Sequence, residues 1–185
     1  MKCWWHQVPT FALLNAQIIG RIAADDNVQA AAQASGVGGR YPLINSSFVT
    51  GLMYSILVVP KELYTLFDHR GAEPTDPLIP DSSPKARDLQ GRIEDLHLEQ
   101  YLEVSTSTPE YKQRPQREVV RLLRNAVAHV NYAIDGEPPA WRMRLWNTGQ
   151  NGRNWEATCS VDQLQSLLLA LGNVLHSYYL QSHHA

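Results

Sequence analysis

With 185 residues, an apolar fraction of 44% and a charged fraction of 18%, the chain has the size and make-up of one globular domain with a sizeable core. The formal net charge of −2 excludes a chain that is basic as a whole, so any surface for nucleic acid has to be local. Two cysteines, Cys3 and Cys159, exclude a disulfide framework and a structural zinc site, and they fit a reducing cytosol.

The segment Lys2-Cys3-Trp4-Trp5-His6 has neither the continuous apolar stretch nor the small-residue cleavage site of an export signal. The most apolar run, Leu52 to Val59, is too short to span a bilayer. The expectation is a single cytoplasmic domain over residues 1–185. A first helix is expected from Thr10 to about Ala34, with Leu13, Leu14, Gln17, Ile18, Arg21 and Ile22 in helical spacing and Ser35-Gly36-Val37-Gly38-Gly39 as its breaker. A second opens at Asn45-Ser46-Ser47, runs through Leu52, Ile56 and Leu66, is kinked by Pro60 and stops at Gly71. Residues 71–84, with Pro74, Pro77, Pro80 and Pro84, form an irregular surface loop. A third helix is expected over 84–103, then a polar stretch Ser105 to Thr108.

The fourth helix, about 110–134, has the clearest pattern. Val119, Leu122, Leu123, Ala126, Val127, Val130, Ala133 and Ile134 fall on one face. Arg114, Arg117, Arg121, Arg124, Asn125, Ala128 and Tyr132 fall on the other. The period then changes from helical to alternating. Trp141, Met143 and Leu145 alternate with Arg142 and Arg144, and Trp155, Ala157 and Cys159 alternate with polar residues. This predicts a β-hairpin over about 140–159, turning at Asn147 to Gly152, with its apolar face on the helices. Ser160 and Gln163 form a capping box for a last helix, 161 to about 180. The tail His183-His184 reads as a frayed end. The remaining histidines, His6, His69, His97 and His176, have no sequence partner that suggests a site.

Leu122-Leu123-Arg124-Asn125-Ala126-Val127-Ala128-His129 carries the chemistry. An Arg with a polar residue right after it and a His after four to six intervening residues, near the end of a long helix, resembles the motif of HEPN (higher eukaryotes and prokaryotes nucleotide-binding) ribonucleases. The resemblance implies a mainly α fold: a helical bundle of about five helices, with the hairpin inserted before the last helix lying outside the common core. It implies metal-independent RNA cleavage, with no cofactor, by Arg124, Asn125 and His129. Arg121, Arg117 and Tyr132 are the candidates for substrate binding. The implied partners are RNA, a second copy of the chain and an antitoxin protein, in a toxin–antitoxin or antiphage defence setting. One HEPN branch carries a modifiable Tyr two residues after the His. Here that position is Asn131, with Tyr132 one further on.

The residues agree with that chemistry. His titrates near neutral pH and serves as acid or base. Arg grips phosphate and stabilises developing charge. Five residues apart, Arg124 and His129 stand about 140° apart on an ideal helix, whereas Asn125 and His129 are about 40° apart. Two such helices facing across a two-fold axis would bring two Arg and two His into one cleft, with small Ala128 between them. Two other readings stay open. One is a non-catalytic HEPN-like dimer that binds a nucleotide, RNA or protein. The other is a helical scaffold in which Arg124 and His129 are buried and mutually satisfied. The arginine face is either a phosphate surface or a solvated one paired with Glu110 and Glu118. Tyr132 is catalytic, stacks on a base or packs at a dimer seam. Arg142 and Arg144 contact RNA or a partner, or keep an edge strand soluble.

Overall fold

The computed structural model of the chain describes residues 8–23, 25–34, 46–58, 84–136 and 140–183. Helix α1 (Val8–Ala23) presents Leu13 and Ala16 to the core. The single helix expected to Ala34 is two, because Asp25 caps a new one, α2 (Asp26–Ala34). Its carboxylate accepts the backbone N–H of Asn27 at 2.8 Å, which satisfies a helix-start donor and resets the chain direction. Helix α3 (Ser46–Met53) runs into a π-helical turn, Tyr54–Val58, that buries Ile56 and Leu57. The expected continuation to Gly71, the kink at Pro60 and residues 71–83 of the expected loop lie outside the described residues.

Helix α4 (Pro84–Glu94) is shorter than the expected 84–103. After it His97 takes left-handed backbone (φ 49°), followed by a 3-10 turn, Leu98–Tyr101, and strand β1 (Glu103–Thr106), where a polar connection was expected. The expected fourth helix is also divided. Thr108 caps α5 (Pro109–Gln113) by accepting the Tyr111 N–H at 3.1 Å. Arg114 then leaves helical backbone (φ −142°, ψ 66°), as a residue before proline tends to, and Pro115 opens α6 (Pro115–Ala128). Beyond Ala128 the chain does not stay helical: Tyr132, Ala133 and Ile134 belong to strand β2 (Tyr132–Asp135). Strands β3 (Arg142–Gly149) and β4 (Gly152–Ser160) follow, then α7 (Val161–His183). The capping box at its start is formed, Ser160 N–H donating to Gln163 Oε1 at 2.8 Å and Gln163 N–H to Ser160 Oγ at 3.1 Å.

The expected five-helix bundle with an inserted hairpin is therefore corrected. Among the described residues there are seven α-helices and a four-stranded antiparallel sheet in the order β1-β4-β3-β2. Strands β3 and β4 pair with each other but form the middle of that sheet, with β1 and β2 outside them. A lone two-stranded hairpin is marginal, and the flanking strands supply the pairing it lacks. The inner face of the sheet, Met143, Leu145, Trp155, Ala157 and Cys159, is fully buried. It closes one core with Val119, Leu122, Leu123, Ala126 and Val127 of α6 and Leu164, Leu167, Leu168, Leu171 and Leu175 of α7.

Candidate active site

The motif sits on the last turn of α6. The apolar stripe of that helix is buried against the π-turn, the 3-10 turn and β3, so the helix cannot roll. Its other side carries Arg117, exposed, and Arg121, half-buried, on successive turns leading to Asn125, Ala128 and His129. Arg121 is engaged by Glu118, to which its Nε donates at 2.8 Å. The paired form of the arginine face thus holds for Arg121, while Arg117 faces solvent.

Arg124 departs from the sequence expectation. Helical spacing puts it on the polar face, yet it is only 6% exposed. Its angular position lies at the border of the apolar stripe, next to Val120 and Val127. The guanidinium turns toward its neighbour: Nη2 and Nε donate to Asn125 Oδ1 at 2.6 and 3.3 Å. Asn125 in turn accepts the His129 N–H on its backbone carbonyl at 3.1 Å. Asn125 thus meets Arg124 through its side chain, while its bond to His129 is the ordinary closing bond of the helix. His129 is the C-cap of α6 and is exposed. Of the two conditions for a purely structural motif, burial holds for Arg124 and fails for His129.

The backbone after His129 is unusual. Val130 has φ 56° and is 63% exposed, although helical spacing had put it on the core face. Its N–H donates to Val127 O at 3.1 Å and the Asn131 N–H donates to Ala126 O at 2.7 Å. That pair of bonds is a Schellman closure, which normally has glycine in the left-handed position. A β-branched residue there is strained by about 1–2 kcal/mol. The strain persists because β3 holds both sides of the turn. The Trp146 N–H donates to Asn131 O at 3.0 Å, and Asn147 Nδ2 donates to Leu122 O at 2.8 Å.

Asn147 is the residue that sequence reading missed. The sequence puts it at the start of the hairpin turn, but it is 8% exposed on the inward side of β3. The signal was present: 143, 145 and 147 share parity, so an Asn at 147 points into the core and needs a buried partner. Tyr132, expected on the helix, lies on β2 opposite Leu145, hence on the core side of the sheet and partly buried.

On the outer face Arg142 donates to Glu103 Oε2 at 2.6 Å and holds that carboxyl below the usual range. Arg144 Nε lies 3.2 Å from Asp135 Oδ2, within ion-pair distance but without hydrogen-bond alignment. Arg153 pairs with Glu156 at 2.7 Å and covers the Trp146 ring with its guanidinium 4.4 Å from the ring centre. These three arginines and three acids balance. The strand carrying Arg142 and Arg144 is internal, so neither residue guards an edge.

No group of three or more His, Cys, Asp or Glu side chains that could hold a metal ion occurs among the described residues. Nor, among them, is any helix long and apolar enough to cross a membrane. No curated protein and no solved structure matches the chain. The HEPN pEK499 p136 family model, in contrast, matches residues 10–182, nearly the whole length and all of the motif helix. The chain therefore belongs to the HEPN superfamily, a membership that suggests a nucleotide-binding or ribonuclease-like function.

Proposed function

We propose that the chain is a metal-independent endoribonuclease working as a homodimer, the toxin of a toxin–antitoxin pair or an antiphage effector controlled by a partner protein. The observation that carries this reading is the end of α6, where His129 is exposed one turn after Asn125, whose side chain is held by Arg124, with Arg117 and Arg121 on the approach. Val130, next to His129, has left-handed backbone, and strain of that kind collects at functional sites.

The reaction needs a base for the RNA 2′-hydroxyl and an acid for the 5′-oxygen. Across a two-fold axis between α6 helices, the His129 of one copy takes the 2′-hydroxyl proton. O2′ attacks phosphorus, the P–O5′ bond breaks, and the second His129 gives its proton to O5′. The products are a 2′,3′-cyclic phosphate and a 5′-hydroxyl. Asn125 and the exposed Arg117 contact the phosphate, and Arg124 orients Asn125. Arg121 joins them by exchanging Glu118 for phosphate. The test is incubation of purified protein with mixed RNA in EDTA. Wild type is expected to cut and His129→Ala to lose on the order of 100-fold or more in rate. Equal rates for the two chains reject the assignment.

One observation favours the second reading, a HEPN-like dimer that binds a nucleotide, RNA or protein without cutting. Arg124 is buried and engaged by Asn125, so it is not offered to a phosphate. Under that reading RNA or nucleotide binds with no product in EDTA, and Arg117→Ala weakens binding.

A further inference from the structure

Helix α1 is apolar on two opposite sides. Leu13 and Ala16 point into the core, at 3% and 1% exposure. Phe11, Leu14, Ile18 and Ile22 lie on the far side, spaced by three and four residues, and are 42–53% exposed. They are four of the five large apolar side chains found exposed among the described residues, and the fifth is Val130. The helix holds a single charged residue, Arg21. A helix on a monomer's surface usually has a polar outer side; in α1 the exposed Asn15, Gln17 and Arg21 flank the outer apolar stripe without interrupting it.

We infer that this face of α1 is a two-fold self-association surface, covered by α1 of a second copy. The stripe is symmetric to within one residue about a midpoint near residue 16. Laid antiparallel on itself, it sets Phe11 opposite Ile22 of the other copy and Leu14 opposite Ile18, so each apolar side chain meets another. Arg21 lies well off that midpoint and is not brought onto its own copy. Four large side chains at about half exposure leave on the order of 350 Å² of apolar surface per chain, the scale of the largest patch on a typical monomer. Doubled across the axis, this is an apolar centre suited to a standard interface of about 1,600 Å².

This surface is distinct from the α6 seam and does not depend on whether the motif cuts RNA. Helix α6 is packed by the π-turn, the 3-10 turn, α4, α5 and β3, whereas α1 packs chiefly on α7 and the π-turn. Two isologous surfaces on one chain close into a four-copy particle when their axes allow it.

The test is particle mass by light scattering and sedimentation at about 50 µM for wild type, Leu14→Glu with Ile18→Glu, and Ala128→Arg. The inference expects the α1 variant to have half the wild-type mass or less at unchanged helicity, with Ala128→Arg retaining an α1-mediated dimer. A wild-type monomer, or an α1 variant of wild-type mass, overturns it. A wild-type dimer that only Ala128→Arg dissolves overturns it equally, while leaving the α6 seam standing. If the glutamates prevent folding, Leu14→Gln with Ile18→Gln reads the same masses without buried charge.

Discussion

Arg124→Ala separates a residue that holds the site from one that performs the chemistry. The guanidinium makes two charge-assisted contacts with Asn125 Oδ1, at 2.6 and 3.3 Å, from a side chain 6% exposed. A hydrogen bond from a charged donor is worth about 1.5–3 kcal/mol, and its loss leaves the Asn125 oxygen unsatisfied. The buried stem adds roughly 1 kcal/mol more, at about 0.8 kcal/mol per methylene with part of the space refilled. Arginine and alanine are both good helix formers, so propensity offsets little. The expected loss is about 3 kcal/mol, which at about 2–4 °C per kcal/mol lowers the melting temperature by roughly 6–12 °C. Arg124→Met keeps the stem and removes the charge, and should fall between wild type and Arg124→Ala. His129→Ala, at an exposed C-cap, should stay within about 0.5 kcal/mol of wild type. Thermal melts followed by circular dichroism measure all three. An Arg124→Ala protein melting within about one degree of wild type refutes the buried, hydrogen-bonded role assigned to this arginine.

Val130→Gly should stabilise the chain by about 0.5–1 kcal/mol, because relief of left-handed strain exceeds the added backbone entropy of glycine; urea unfolding reads the sign. Burial pushes the Cys159 thiol up to about 12, with Arg142 opposing weakly. The native protein should therefore leave this thiol unlabelled by a disulfide reagent at pH 8, with labelling appearing on unfolding. Since an unfolded cysteine ionises near about 8.5, the thiol's contribution to stability is intact below that pH and is lost progressively as pH climbs toward the folded value. Arg142→Ala with Arg144→Ala should leave the salt dependence of RNA binding unchanged, because both side chains already face acids on their own sheet; a shallower slope would show that they meet phosphates.

Where hydrophobic period and capping chemistry agree, the sequence is readable. Ser160 and Gln163 form their box, and 143, 145, 155, 157 and 159 all turn inward as alternation requires. Where apolar spacing continues across a change of structure, it misleads. Val130, Ala133 and Ile134 extend the stripe of α6 in helical register, yet the helix stops at Ala128. Tyr132 and Ile134 favour extended backbone, and pairing with Leu145 and Met143 outweighs another helical turn. Strand β1 was hidden because only Val104 of its four residues is apolar, and its partner β4 is some fifty positions away, so no local pattern announces it. The burial of Arg124 was hidden for another reason. A helical wheel assigns angles, not side-chain directions, and a border arginine can fold its head toward Asn125 while burying its stem.

The most direct measurement is the chemistry of the ends left by the protein on an RNA of defined sequence in EDTA, with a matched RNA carrying a single 2′-deoxy sugar at the cut site. The account predicts a 2′,3′-cyclic phosphate and a 5′-hydroxyl from the all-ribose strand, no cut at the deoxy position, and neither product from His129→Ala. Cutting at the deoxy position, 5′-phosphate ends, or identical cleavage by His129→Ala would contradict it.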